Sequence, residues 1–541
     1  MKPVSGNVAS AHGLSWTRSV ATACAPSSDQ ARIVLALLAM ALVWTLSIAF
    51  FCPTPPWDNV EELFWAGSFE FGYYKHPPLP SWIMGVLVRL AGRQPWLTYA
   101  AGVACGVGAL FIVWKWAREM VTPQRAALAL VLGTLVTYHV QRATIYNHNT
   151  VQLVSLAGYW WMLWRVLRAP SSRYRDWVCL GCFAALAFLT KYSAVVQFAV
   201  GFVFIVRHGL WRARHVQAGM ALAGAVVLLL LAPHFVWMFR HPDLSVAYAL
   251  HSVHSKTPDV YSYRSLLHVV TQQIGRLLPM VLLAACLWRT RSSEGGQNRR
   301  APLAAGTAFD RRFLAWATFG PVCAVLPLAA VLQITLLPSW LTTFFLPAAL
   351  WAVVNVPGLD AENWPRRRWR IVVAATVCVH VAAALGQGWV EGVWSKRLGY
   401  MTRANLPAQE VALALEDIWQ SRVGRASGVP FKLLVGDTWF AGAVALKMDP
   451  SMQLLVDAQE RDSPWLPPGA LAREGGMVVI LDNPDFLSEG VMLEPLLGTA
   501  DCRGSLQVPW TGSGEGQSVR LRWGILLPRD HAVRQCASPV S

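Results

Sequence analysis

Charge is scarce in this chain. Only 14% of its 541 residues are Asp, Glu, Lys or Arg, against about 25% in an ordinary soluble protein. Acid is scarcer still, with 30 Asp and Glu against 46 Lys and Arg, a formal net charge of +16. The ten cysteines form no disulfide lattice; most sit in apolar segments, where cysteine acts as a small hydrophobe. No cleavable signal peptide is visible, and no repeat of solenoid length is present. These lacks argue against a soluble enzyme, a disulfide-stapled secreted domain and a solenoid. What is there in quantity is apolar: 55% hydrophobic residues and 27 Trp. That composition predicts a polytopic α-helical membrane protein. The basic excess then belongs to cytoplasmic loops, where Lys and Arg accumulate, rather than to a nucleic-acid surface.

A span needs about 20 apolar residues. The hydrophobic runs predict about eleven, near 32–51, 97–116, 125–141, 150–167, 177–190, 192–207, 217–238, 266–288, 313–332, 338–354 and 371–388. The first reads as a signal anchor after a disordered cytoplasmic stretch, 1–30. Ser81–Ala91 is too short to cross and reads as an interfacial helix. Lys115, Arg118 and Arg125, then Arg165, Arg168, Arg173 and Arg175, then Arg207, Arg212 and Arg214 fall in loops on one side. So do Arg289, Arg291, Arg299, Arg300, Arg311 and Arg312, and the run Arg366, Arg367, Arg368 and Arg370. By the positive-inside rule that side is cytoplasmic. The loops 52–96, 142–149 and 239–265 then face outward, as does a tail from about 389.

The tail changes character. Pro407–Arg422 reads as an amphipathic helix with Val411, Leu415, Ile418 and Trp419 on one face. Lys432–Val435, Met477–Leu481 and Val519–Leu527 read as strands, and Ala441–Leu446 as a helix. Strands alternating with helices predict a small α/β domain at 389–541, extracytoplasmic and thus periplasmic, after a transmembrane catalytic domain at 31–388. In an oxidising compartment Cys502 and Cys536 are able to pair. Cys179-x-x-Cys182 lies inside an expected span and reads as helix packing.

Chemistry concentrates after the first span. Asp58, Glu61 and Glu62 are spaced i, i+3, i+4, so on a helix all three share one face. Pro55-Pro56 places Asp58 near a helix start, where the dipole favours a carboxylate. For Glu62 a solvated face is the plainer reading. For Asp58 the functional reading is stronger, because Tyr74, Lys75 and His76 follow closely. Some cations depart from the positive-inside trend and face outward: Lys75, Arg142, Lys191, Arg240, Lys256 and Arg264. Snorkelling accounts for some; a cluster of them beside carboxylates suits an anionic headgroup. The polar loop Arg142–Asn149 offers Asn147, His148 and Asn149 to a hydroxyl-rich ligand, with helix capping as the plain alternative for Asn149. Tyr192 follows Lys191 in the same outer turn. Trp57, Trp65, Tyr73 and Tyr74 either stack on sugar or anchor at the interface. His251 and His254 could share a helix face as metal ligands, but no clear third ligand accompanies them.

The acidic loop followed by Lys75-His76-Pro77-Pro78-Leu79-Pro80-Ser81-Trp82 resembles bacterial glycosyltransferase family 39, the protein O-mannosyltransferase superfamily that includes the lipid A aminoarabinose transferase. The resemblance covers most of residues 30–390. It reaches the tail at Gly436-Asp437-Thr438-Trp439-Phe440-Ala441-Gly442 and Ser463-Pro464-Trp465. It implies GT-C architecture and transfer of a sugar from a polyprenyl-phosphate carrier on the extracytoplasmic side. It matches Asp58 to the family's first-loop general base and Pro77-Pro78-Leu79 to a Lys-Pro-Pro-Leu element. The chain departs where Asn59 follows Asp58, where His76 precedes the prolines, and where Asn147 or Asn149 stands for a second loop acid.

The sequence therefore predicts an inner-membrane transferase that inverts the sugar, with Asp58 as base. Glu61, Glu62, Tyr74, Lys75, His76, Arg142, Asn147, His148, Asn149, Lys191 and Tyr192 are its substrate-binding set. The expected partners are a lipid-linked sugar donor and a lipid, glycan or protein acceptor, with no nucleic acid. No cofactor is assigned, and a divalent metal is allowed but not predicted. The rival is a transporter or flippase for a lipid-linked sugar, which would place acids mid-span and break its helices in paired repeats.

Overall fold

The computed structural model describes residues 28–169, 173–244, 248, 263–293, 306–359, 361–362, 364–482, 493–510, 517–529 and 536. His251, His254 and Lys256 lie outside the described residues.

The first half builds α1 (Ser28–Phe51), α2 (Trp57–Trp65), α3 (Leu79–Ala91), α4 (Pro95–Met120) and α5 (Pro123–Thr134). Then come α6 (His148–Arg168), α7 (Tyr174–Thr190), α8 (Ala194–Arg207) and α9 (Arg214–Arg240). The bundle continues with α10 (Tyr263–Ser293), α11 (Ala308–Val331), α12 (Ala348–Asn355) and α13 (Arg366–Trp389). Among the described residues six helices are long and apolar enough to cross a membrane: α1, α4, α9, α10, α11 and α13. The chain is a multi-pass membrane protein. The short helix expected at Ser81–Ala91 is present as α3.

Local sequence sets the helix starts. Pro56 caps α2 in extended conformation, with φ −62° and ψ 165°. Thr122 accepts from the Arg125 amide ahead of Pro123, and Thr307 and Asp310 form a capping box on α11. Two expected spans are not single helices. The run 125–141 stops at Thr134, because the Thr137 amide is given to Arg276 O of α10 and not to its own helix. The run 338–354 carries Pro338 and Pro347, which lack the amide a helix needs. It forms a 3-10 turn at Pro338–Leu341 and a helix only after Pro347.

The Arg-rich loops gather at one end of the bundle. There Arg125 meets Glu362 at 2.6 Å, Arg165 meets Glu119 at 3.2 Å and Arg168 meets Asp310 at 3.6 Å. Thr98 and Arg118 sit at opposite ends of α4, about 30 Å apart at 1.5 Å per residue, which is one hydrocarbon core. The acidic stretch packs at the Thr98 end.

The tail builds α14 (Ala408–Trp419), β1 (Leu433–Gly436), α15 (Phe440–Ala445), β2 (Gln453–Val456), β3 (Gly476–Leu481), β4 (Cys502–Pro509) and β5 (Ser518–Leu526). The sheet order is β2-β1-β3-β5-β4. β2, β1 and β3 run parallel, while β5 is antiparallel to β3 and β4 to β5. Val411, Leu415 and Trp419 bury against the sheet, as the amphipathic pattern predicts. The tail also seats directly on α2. Trp439 Nε1 donates to Pro55 O at 3.2 Å, and Gly442 admits Val60, whose methyl group a Cβ there would strike.

Cys502 and Cys536 are joined in a disulfide across a sequence separation of 34. A closed loop of that length removes about 3–4 kcal/mol of chain entropy from the unfolded state. Cys502→Ser should therefore destabilise the tail by about 3 kcal/mol, read as a lower denaturant midpoint, and dithiothreitol should reproduce the loss in the parent protein. An unchanged midpoint in both would remove the disulfide from the tail's stability.

Candidate active site

Three short connections meet above the Thr98 end of the bundle: α2 with the loop to α3, the loop before α6, and the turn between α7 and α8. Asn59 locks the first two together. Its Nδ2 donates to Thr98 Oγ1 at 2.7 Å and Thr144 O at 3.2 Å, and its Oδ1 accepts from the Tyr146 amide at 2.9 Å. Tyr146 OH in turn donates to Pro80 O at 2.7 Å. Gly102 and Gly106 of α4 let the 139–146 segment lie against the helix; a Cβ at either would run into Ala143 O or His139 O.

That frame aims Asp58. Asn147 caps α6 by accepting from the Thr150 amide at 3.0 Å, and its Nδ2 donates to Asp58 Oδ2 at 2.7 Å. One residue thus begins a helix and orients a carboxylate. The contact occupies one oxygen of Asp58. Lys191 Nζ donates to Asn149 Oδ1 at 2.6 Å and lies 5.6 Å from the centre of the Trp340 ring. Among the described residues no carboxylate comes within ion-pair distance of it. Burial pulls the Lys191 ammonium down to about 8, against the Asp58 charge, which raises it.

A second layer is acidic. Lys75 Nζ bonds Glu61 Oε1 at 2.6 Å; Glu61 is buried and Lys75 is partly buried. Burial alone would depress Lys75, but the Glu61 carboxylate and the Tyr74 hydroxyl hold it well above the usual lysine range. Burial pushes the Glu62 carboxyl well above its usual range, Ser81 lowers it, and Glu61 and Asp58 raise it further. Ser81 Oγ donates to Glu62 Oε2 at 2.8 Å, and His148 Nε2 stands 3.5 Å from Glu62 Oε1. The His76 ring lies 3.8 Å from that of His148, centre to centre.

These groups line one cavity of about 370 Å³. Of the residues expected at the site, Asp58, Glu61, Glu62, Lys75, His76, Asn147, His148, Asn149, Lys191 and Tyr192 line it. Tyr74 and Arg142 do not. Tyr74 stands behind Lys75, its ring centre 4.9 Å from the ammonium. The Arg142 guanidinium feels the charges of Arg276, Tyr138, Asp58 and Glu391 from outside the cavity wall. Trp65 and Tyr73 stack on each other at 4.7 Å, both buried, so neither ring is open to a sugar. Glu62 is buried and not on a solvated face. Ser193, Tyr248, Leu337, Ser339 and Trp340 also line the cavity and escaped sequence reading. The pair Pro338 and Pro347 was the available signal for the last three, since it marks a break within an apolar run. No group of three metal-ligating side chains exists among the described residues.

Carboxylates and ammonium groups sharing one cavity are an arrangement able to activate a hydroxyl near an anion. The family model described as dolichyl-phosphate-mannose-protein mannosyltransferase matches residues 75–237. Among curated proteins the chain is 24% identical over 495 residues to the lipopolysaccharide core galacturonosyltransferase RgtA of Rhizobium johnstonii, covering 87% of this chain and 92% of that one. It is 21% identical over 317 residues to the lipid A galacturonosyltransferase RgtD of the same species, covering 57% of this chain and 65% of that one. Its fold is similar to that of ArnT from Cupriavidus metallidurans, crystallised with undecaprenyl phosphate, with a TM-score of 0.55 and 16% identity over 90% of this chain and 97% of that one. Matched segment, related transferases and shared fold agree on a membrane glycosyltransferase whose architecture is similar to GT-C.

Proposed function

We propose that this enzyme takes a sugar from a polyprenyl-phosphate carrier and passes it to a hydroxyl of a lipopolysaccharide core or lipid A acceptor on the extracytoplasmic face. The observation that carries the reading is that Asp58 and Lys191 share one cavity: a carboxylate with one oxygen held by Asn147, and an ammonium that among the described residues has no carboxylate within ion-pair distance. The acceptor O–H gives its proton to Asp58 as its oxygen bonds the anomeric carbon. The bond from that carbon to the phosphate oxygen breaks, and polyprenyl phosphate leaves with the electron pair. Attack opposite the leaving group inverts the anomeric centre. Lys191 meets the charge that grows on the phosphate, an electrostatic contribution often larger than any other. Lys75 and His76 complete the carrier's site, and Arg142 acts behind it. A phosphate leaving group needs little acid help, so none is required of Glu61 and Glu62, which Lys75 and Ser81 hold.

The transferred group we assign is a uronic acid, the class moved by both galacturonosyltransferases. Such a sugar on such a carrier brings two negative charges; Lys191 and Lys75 line the cavity, Lys75 already paired with Glu61. The Arg-rich end lying opposite the cavity supports this sidedness. The tail, roughly 389–541, would be a periplasmic domain that covers the site or recognises the acceptor.

The test is transfer in proteoliposomes from polyprenyl-phosphate galacturonic acid to lipopolysaccharide core, read by mass spectrometry. A new glycolipid supports the reading. Donor that only changes leaflet, with no product, would support the flippase.

The pH dependence is specific. Lys191 is charged below about 8 and loses its proton above it. Donor KM should be flat at neutral pH and rise about tenfold per unit beyond pH 8. Lys191→Arg, charged throughout, should abolish that alkaline rise. A wild-type KM that stays flat to pH 9.5 would detach Lys191 from donor binding.

A further inference from the structure

Two cavities adjoin at the Arg-rich end, far from Asp58. The first, of about 280 Å³, opens between the start of α1, the end of α4 and the start of α5, with Arg32 and Arg118 on its rim beside Asp29. The second, of about 410 Å³, runs between α1, α5 and α13. Its wall is almost wholly apolar, with Leu37, Met40, Leu130, Val373 and Val377. Ile33, Ala127 and Trp369 belong to both walls, so the polar mouth continues into the apolar groove.

The dimensions fit one leaflet. From Ile33 to Trp44 the groove follows α1 for about 16 Å at 1.5 Å per residue, half of a hydrocarbon core of about 30 Å. Trp44 Nε1 donates to His380 Nδ1 at 3.3 Å across the inner end and closes it. The mouth is basic. Arg118 is exposed, leans on the Trp114 ring at 5.5 Å and has no ion pair among the described residues. Arg32 has Asp29 at 3.8 Å, both well exposed. Arg366, Arg367 and Arg370 are exposed around Trp369.

A cationic rim over a one-leaflet apolar groove has the chemistry of an anionic lipid with a short polar head and an acyl chain. We propose that this is a binding site for an anionic glycerophospholipid of the leaflet at the Arg-rich end. Its phosphate lies against Arg32 and Arg118, and one acyl chain lies between α1 and α13. The site is independent of the reaction assigned to the Asp58 cavity. It bears on it mechanically, since α1 leads into the Pro55-Pro56 cap of α2. α13 leads through Glu391 to Arg403, whose guanidinium meets Glu391 at 2.6 Å and Tyr99 OH at 3.3 Å. The lipid would wedge together two helices that hold the frame of the site from below.

The experiment is native mass spectrometry of the full chain in detergent, titrated separately with phosphatidylglycerol and phosphatidylcholine of the same acyl composition. Wild type should retain one phosphatidylglycerol and shed phosphatidylcholine. Arg118→Gln should weaken phosphatidylglycerol retention about fivefold. Val377→Trp, which fills the groove, should abolish it. Arg118 is exposed on the rim, so its substitution keeps the test decisive should the tryptophan variant fail to assemble. Equal retention of the two lipids, unchanged retention in Arg118→Gln, or stoichiometric displacement by undecaprenyl phosphate would each overturn the proposal.

Discussion

Asp58→Asn should reduce the turnover of labelled sugar by about 10²–10⁴-fold, the usual contribution of a positioned base, with donor KM within about threefold of wild type. The substitution is clean for structural reasons. An asparagine oxygen still accepts from Asn147 Nδ2, where Asp58 Oδ2 accepts now at 2.7 Å. The α6 cap, made through Asn147 Oδ1, is untouched. What disappears is the proton-accepting charge. A second effect follows from the same charge. Asp58 raises Lys191 against burial, so its loss should move the alkaline rise in donor KM below pH 8. Transfer at the wild-type rate would remove Asp58 from the chemistry. A lost rate with the alkaline limb unmoved would separate Asp58 from Lys191.

Much of this site was legible because it is local. Asp58, Glu61 and Glu62 share one short helix, and Lys75 and His76 return on the loop that follows it. Asn147, Asn149 and Lys191 stood out because polar and basic groups at the outer ends of apolar runs are costly without a purpose. Asn59 was read as a departure from the family's pattern; the structure makes it the pin between α2 and the loop before α6. Trp340 and Ser339 were hidden by hydropathy, since an average over 338–354 does not register that two prolines forbid one helix. The tail shows the same division. Core strands β1 and β3 announce themselves by apolar runs, and β5 by Val519, Leu521 and Trp523 alternating with Arg520 and Arg522. β2 carries the same Leu-Leu-Val run as β1 yet escaped sequence reading, whereas β4 is an edge strand alternating Arg503, Ser505 and Gln507 with less polar neighbours and carries no run.

Lys75→Met should be the most destabilising change at the site. Glu61 is buried, Lys75 is partly buried, and the two are 2.6 Å apart. Removing the ammonium leaves a buried carboxylate without its partner, a loss of about 3–5 kcal/mol, visible as a lower unfolding midpoint in detergent. Its pH dependence has a definite sign. Burial already lifts the Glu61 carboxyl above its usual value while Lys75 pulls it down, so without Lys75 it rises further. A carboxyl raised in the folded state binds its proton more tightly there than in the unfolded chain. Stability is then retained at low pH and lost as pH rises through the folded value. The variant's deficit should therefore be smaller at pH 5 than at pH 8. Lys75→Met combined with Glu61→Leu removes both charges, and a buried pair exchanged for apolar groups is often neutral or stabilising. The double variant should melt near wild type yet transfer no sugar, because the carrier has lost one of the two ammonium groups in the cavity. A double variant that regains transfer as well as stability would make Lys75 a partner for Glu61 and nothing more.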